Sequence, residues 1–427
     1  MTSPAPQPAS SDPAEPARFG PVGVAITLAL LFGLQPVTTD LYLPGLPLLA
    51  HELGASLGSA QLTMSALMLA FGLGQLVWGP VADRIGRKPV LMTGLMLFAL
   101  ASAAGSLAAS LHALVLARVL QGAALAAAVV VGRAMVRDLY PPSEGTHVMS
   151  LGMSGLGLIA ISSPLAGGWI TGALGWRANF ACVFAISLLI AGWVALRVPE
   201  TLAQPNPHAL QPGPLWSAWG RIARHPGFRA WTMLTACTYG GLFVFLAGSS
   251  FIYMQVLGLS AATYGLVLST GSVAYLIGTF VCRRWLVQVG PTGTVRRAAA
   301  FTLAGGLSMA ALALAGVQAV WAVMLPQLAY AFAHGMHQSC GQAGAVAFFP
   351  REAGTASALA GFVLAATAFG VGNGLGPLLH TAGGTTGHEI GASSLAPFTL
   401  AIALAAVLTA FVALTQVQRH GSAPAHG

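Results

Sequence analysis

The sequence predicts an all-α membrane protein: twelve transmembrane helices in two pseudo-symmetric six-helix bundles. Three observations carry this. Only 7% of the 427 residues are Asp, Glu, Lys or Arg, and 56% are hydrophobic. The mean hydropathy is +0.77. A soluble domain carries roughly 25% charged residues, so this chain cannot cover a water-facing surface. Apolar runs of about 20 residues recur throughout, long enough to cross ~30 Å of hydrocarbon as helices and too long for barrel strands. Finally, the chain resembles itself when shifted by 204 residues: Leu53-Gly54 falls on Leu257-Gly258, Gly74 on Gly278 and Gly86 on Gly290.

In order, the expected spans are 21–49, 60–82, 89–109, 111–136, 147–171, 179–197, 229–254, 262–287, 298–316, 319–348, 353–379 and 396–417. The Pro/Ala/Ser-rich stretch 1–20 is too long and too weakly basic for a secretory signal. It is expected to be a disordered cytoplasmic tail. RDLYPPSEGT, rich in turn formers, separates spans four and five. The longest break, the linker 198–228 with QPNPHALQPGP, divides the bundle 21–197 from the bundle 229–418. Residues 419–427 form a second short tail. SSPLAGG of span five also echoes GLGPLLH of span eleven, at a slightly larger shift.

Basic residues set the direction. With the amino terminus inside, all but two of the 18 Lys and Arg residues face the cytoplasm; Arg177 faces out and Arg118 lies within a span. The net charge of +8 then borders anionic lipid and needs no nucleic acid. The expected setting is a membrane crossed many times, with both termini cytoplasmic. Cys182, Cys237, Cys282 and Cys340 lie in apolar runs at unrelated spacings, which reads as reduced packing thiols. A duplicated helical unit with a midplane cavity between its halves is a transporter design. There is no phosphate-cradling loop followed by Lys-Ser/Thr, and no nucleophile with a base. Neither an ATP-driven pump nor an enzyme is expected, and no cofactor or resident metal.

Charge is rare enough that each cluster calls for a reason. GPVADRIGRKPVL, Gly79 to Leu91, falls between spans two and three and holds Asp83, Arg84, Arg87 and Lys88. Its glycines allow a tight turn, and Pro89 suits the first turn of a helix. Arg84, Arg87 and Lys88 could serve as inside-facing anchors alone, but an anchor needs no acid. A carboxylate there can sit against a helix N-terminus or an arginine. Asp40 is the one acid expected well inside a span, where an ionised carboxylate costs several kcal/mol. This reads as a proton-coupling site, or as a structural carboxylate bonded to Thr38, Thr39 or Arg118. Asp40 and Arg118 lie at similar depth, roughly 10–14 Å below the outer surface at 1.5 Å per residue. That depth predicts a link between them. The shift of 204 places Val244 opposite Asp40 and Val287 opposite Asp83, so neither acid is repeated.

GPVADRIGRKPVL resembles the signature loop of the major facilitator superfamily, with Gly79, Asp83, Arg84, Gly86, Arg87 and Lys88 in register. The resemblance implies the major facilitator fold. It also implies a gate brace, in which Asp83 pairs with Arg133 or Arg137 and with the start of span eleven near Gly354. ARVLQG, Ala117 to Gly122, resembles that superfamily's arginine motif in span four. SSPLAGGWI resembles the proline-glycine motif of drug:proton antiporters, with Ser163 where a Gly usually precedes the proline. TDLYLPGLP, FLAGSSFIYMQVLGLS and REAGTASALAGF resemble stretches of the bicyclomycin- and chloramphenicol-resistance branch. The function implied is export of drugs or other small amphipathic compounds against protons, by a chain acting as a monomer. Export of a normal metabolite by the same cycle is a second reading, and a membrane-embedded sensor a third.

The remaining site residues follow. Pro164, Gly167 and Gly168 give span five a small, bendable face, suited to close packing or to rocking and sealing, and GVGNGLG does the same for span eleven. Expected cavity walls are Gln35, Thr39, Met64, Tyr239, Phe243 and Phe245, because aromatic and Met surfaces suit varied ligands. His334 and His337, three apart in span ten with Gln338 beside them, read as a polar cavity wall, and less well as a metal pair lacking a third ligand.

Overall fold

The computed structural model describes residues 20–383 and 395–422. Among them there is no strand. The helices are α1 (Pro21–Thr39), α2 (Leu46–Glu52), α3 (Leu57–Ile85), α4 (Arg87–Ser106), α5 (Leu111–Leu139), α6 (Pro142–Leu174) and α7 (Trp176–Arg197). These are followed by α8 (Pro212–Arg224), α9 (Pro226–Phe251), α10 (Ala261–Leu314), α11 (Val320–Ala347), α12 (Ala353–Gly383), α13 (Leu395–Leu414) and α14 (Gln416–His420). Among the described residues ten helical stretches are long and apolar enough to cross a membrane. The expected tail falls, except for Gly20, outside the described residues.

Three boundaries differ from the sequence reading. The break between spans four and five shrinks to Tyr140 and Pro141, because α5 and α6 both run on past their apolar stretches. The linker is not irregular throughout: α8 fills its second part. Its Leu215, Trp219 and Ile222 recur on one side and Arg221 and Arg224 on the other, and Ile222 is buried. The eighth and ninth expected spans run together as α10, 54 residues interrupted by non-helical Gly290.

The glycines matched by the 204-residue shift do matched work. Gly54 and Gly258 take φ of 58° and 71°, and Gly86 and Gly290 take 117° and 68°. Those left-handed values end one helix and aim the next, and a side chain would strain them. A Cβ on Gly74 would lie 2.9 Å from the Ala123 carbonyl of α5, and one on Gly278 would run into the Phe332 carbonyl of α11. Both glycines let two helices touch backbone to backbone.

Helices α1 and α3 to α7 pack mainly on one another, as do α9, α10, α11 and α13. Two crossings join the sets, α3 against α12 and α6 against α10. The outward surface carries many large apolar side chains: Leu189 is 74% exposed, and Leu158, Trp169 and Phe411 are exposed too. Large apolar side chains turned outward all round suit a lipid solvent.

Candidate functional site

The α6–α10 crossing is built on residues too small to keep the backbones apart. A Cβ on Gly168 would lie 2.5 Å from the Ala261 carbonyl and one on Gly265 would run into the Pro164 carbonyl; one on Gly167 would instead run into the Leu41 carbonyl, just past α1 within the first set. Ser269 Oγ donates to the Ile161 carbonyl at 2.8 Å across the same crossing. At that end of the molecule Gln61 Nε2 of α3 also donates to the Ala247 carbonyl of α9 at 3.3 Å.

Below this seam, among α1, α3, α5, α9, α11 and α12, lies a cavity of about 120 Å³. Gln35, Gln75, Gln338, Gln342, Arg133 and Ser357 supply its polar wall, and Phe71, Met68 and Tyr239 much of its apolar one. Of the expected wall residues, Gln35, Tyr239 and Gln338 line it. Met64, Phe243 and Phe245 are packed in the core instead, and Thr39 is nearly buried. His334 and His337 are not among its lining and bond within the second set of helices, His334 Nδ1 with Thr238 Oγ1 and His337 Nε2 with Thr302 Oγ1, both at 3.0 Å, while His337 Nδ1 is buried without a partner. Among the described residues no three His, Cys, Asp or Glu side chains gather as a metal site. All four cysteines are free, and Cys282 and Cys340 touch at 3.6 Å between sulfurs.

Asp40 ends α1, its backbone N–H still bonded to the Pro36 carbonyl. Thr39 Oγ1 donates to its carboxylate at 2.8 Å. The carboxylate lies within electrostatic range of the Tyr239 and Tyr264 hydroxyls, both of the second set. It does not pair with Arg118, against the expectation from depth. Arg118 donates to the Thr38 carbonyl at 3.1 Å, to Gln121 Oε1 at 2.7 Å and to the Thr63 carbonyl at 3.4 Å. Its guanidinium lies 4.3 Å from the centre of the Tyr42 ring. Helical geometry explains the miss. Thr38 and Tyr42 are four residues apart and share the face turned to α5, whereas Asp40 lies about 200° round. Gln121 continues the buried chain to Ser102 Oγ of α4 at 2.8 Å.

At the other end, Gly86 turns α3 into α4. Asp83 bonds Arg87 at 2.6 Å, and Asp138 takes the same guanidinium at 2.8 Å. Asp83 therefore does not pair with Arg133 or Arg137. Arg87, one turn on in sequence and only 8% exposed, is already between the two acids. Arg137 instead lies against Gly354, where a Cβ would come within 3.0 Å of its Nη1, and Arg133 Nη1 donates to Ser357 Oγ at 2.8 Å. Arg84 is exposed. Lys88 Nζ reaches the Ala195 carbonyl at 3.0 Å.

Two acids here escaped the sequence reading. Asp138 follows Arg137 directly and was legible only as part of a turn. Glu200, three residues past α7, spans the start of α4: its oxygens accept from the N–H groups of Arg87 at 2.9 Å and Lys88 at 3.1 Å. Partial burial pushes its carboxyl up, but N–H donors from Leu202, Arg87, Lys88 and Thr201 outweigh this and hold it below the ordinary range. A Cβ on Gly86 would lie 2.7 Å from Glu200 Oε2, a second reason for glycine there. The signal available was an acid in VPET just after a span.

A family model described as the Major Facilitator Superfamily matches residues 28–370. Multidrug resistance protein D of Escherichia coli (strain K12) is 28% identical over 340 residues, 80% of this chain and 85% of that protein. The Chloramphenicol resistance protein of Pseudomonas aeruginosa is 28% identical over 345 residues, 80% of this chain and 81% of that one. The MFS-type transporter YdgK of Bacillus subtilis (strain 168) is 30% identical over 266 residues, 62% of this chain and 66% of that one. Among solved structures, a D-xylose-proton symporter superposes with a TM-score of 0.70 at 17% identity, covering 90% of this chain and 95% of its own. A bacterial homologue of the human lysosomal transporter Spinster, inward-facing and unoccupied, superposes at 0.69 with 16% identity, covering 96% of this chain and 100% of its own. These two likenesses bear on the fold alone. With most of its length matched and the Gly86 turn built as described, the chain belongs to the Major Facilitator Superfamily.

Proposed function

We propose that the protein is a proton-coupled secondary transporter that exports drugs or other small amphipathic compounds across a bacterial inner membrane by alternating access. The observation that carries the reading is the position of Asp40. It is an intramembrane acid with no cationic partner among the described residues, at the seam between the two sets of helices and near Tyr239 of the cavity wall. A carboxylate so placed can take a proton from one side and release it on the other as the sets tilt. The drug class rests on relatives named for multidrug and chloramphenicol resistance. Twelve crossings follow if α10 counts as two, divided at Gly290, and α11 is added to the apolar stretches.

The basic Asp83–Arg87 end is read as cytoplasmic on the positive-inside rule. Asp83, Gly86, Arg87 and Lys88, fastened to Asp138 and Glu200, then form a brace that holds the first bundle rigid. Arg133 and Arg137 reach across to α12, and Pro164, Gly167 and Gly168 seal the outer side. At about 120 Å³ the cavity is smaller than the ~300 Å³ from which drug-sized pockets start. A drug-sized molecule therefore enters only as the sets part. The test is Asp40→Asn in proteoliposomes with an imposed pH gradient: drug binding persists and gradient-driven efflux is lost. Efflux at the wild-type rate overturns the coupling role.

A further inference from the structure

Arg133 is a cation without a counter-ion. Its guanidinium lines the cavity, and its one hydrogen bond is to the Ser357 hydroxyl at 2.8 Å. The described acids are engaged elsewhere. Glu52 holds Arg177, Asp83 and Asp138 share Arg87, and Glu352 holds Arg221. Glu200 is spent on backbone N–H groups, Glu144 is exposed beside Tyr140, and Asp40 bonds Thr39. Arg137, close enough to repel Arg133, adds to the positive potential. An unpaired guanidinium at a low-dielectric site is costly, and an anion arriving there recovers much of that cost.

The rest of the wall fits an organic anion. The side-chain N–H groups of Gln35, Gln75, Gln338 and Gln342 can donate to oxygen acceptors. Phe71 and Tyr239 offer aromatic faces. Resting on the transport reading above, we propose that the cavity selects amphipathic organic anions, aryl carboxylates being the smallest, with Arg133 binding the carboxylate. A guanidinium presents two parallel N–H groups that match a carboxylate. Exchange of a proton inward for such an anion outward moves positive charge inward, so an interior-negative potential drives it as well as the pH gradient.

The rival account makes Arg133–Ser357 a simple brace between α5 and α12. Binding of para-nitrobenzoate and of its neutral isostere para-nitrobenzamide to the purified full-length protein separates the two. Wild type is expected to bind the carboxylate at least about tenfold tighter, the effect of one charge-assisted hydrogen bond. Arg133→Gln erases the preference, Ser357→Ala keeps it, and Arg133→Lys keeps a weaker one. Equal binding of both compounds by wild type overturns the proposal, with no variant needed. So does a preference that Ser357→Ala removes as fully as Arg133→Gln. Gradient-driven efflux of neutral compounds with no anion preference sinks this inference and leaves the transport reading standing. Selective benzoate binding with no gradient-driven flux of any compound does the reverse.

Discussion

Asp40 and Arg118 show how a single residue step decides a site. Both are intramembrane, and depth alone pairs them. The turn of α1 sends Thr38 and Tyr42 toward Arg118 and Asp40 toward the second set of helices. The two charges therefore act separately. A double-mutant cycle with Asp40→Asn and Arg118→Gln, read by thermal unfolding, is expected to give a coupling under about 0.5 kcal/mol; a direct ion pair gives more. Glycine offers a cleaner test on one helix. Gly278 of α10 lies against the Phe332 backbone, whereas a Cβ on Gly271, two turns away, meets nothing within 4 Å. Gly278→Ala is expected to cost about 1–3 kcal/mol by overpacking. Gly271→Ala is expected to cost nothing. Comparable loss of Tm in both variants contradicts the close-approach account.

The best-defined element is the start of α4. Three features converge there: the left-handed Gly86, the Asp83–Arg87–Asp138 cluster, and Glu200 across the first N–H groups. An anion at a helix N-terminus is stabilising. Glu200→Gln is expected to cost about 0.5 kcal/mol, since the side chain is largely exposed and screened by salt. The pH dependence has a fixed sign. The folded-state carboxyl is held below its ordinary value of 4.5, so its contribution is fully present above that value. It is lost as pH falls below it, through the folded value. The Tm gap between wild type and Glu200→Gln should stay constant from neutral pH down to about 5 and close in more acid solution. A gap that widens on acidification contradicts this assignment.

For the molecule as a whole, the two sets of helices meet chiefly at two crossings, and the proposed transport cycle needs both to part. At the α6–α10 crossing the seal is backbone against backbone, with Gly168 and Gly265 touching carbonyls of the opposite helix. Such a seam closes tightly and reopens without breaking ion pairs. Gly168→Val inserts three carbons into it. The expected outcome is a proton leak without substrate, seen as faster collapse of an imposed pH gradient in proteoliposomes than with wild type. Wild-type tightness in that variant contradicts the sealing role. At the opposite end the ties are polar: Arg133 of α5 bonds Ser357 of α12, and the linker is fastened to each set, Asn206 N–H to the Asp83 carbonyl and Arg221 to Glu352. The two ends thus resist opening by different physics, van der Waals contact at one and screened polar bonds at the other.

The sequence by itself determined the membrane setting, the helical class, the glycine turns at Gly54, Gly86, Gly258 and Gly290 and the rarity of charge. Each is a property of composition or of short-range geometry: apolar length, glycine at left-handed positions, a basic loop after a span. The matched glycines at the 204-residue shift were legible for the same reason, since a turn or a close approach tolerates little else. Only the tertiary structure decided which charges meet. Arg87 rather than Arg133 or Arg137 took Asp83, Glu200 came 112 residues to Lys88, and the histidines turned into the core while Arg133, Gln75 and Gln342 joined the expected Gln35 and Gln338 at the cavity. A residue's depth follows from its count along a helix, but its neighbours depend on that helix's rotation and on the partner packed against it.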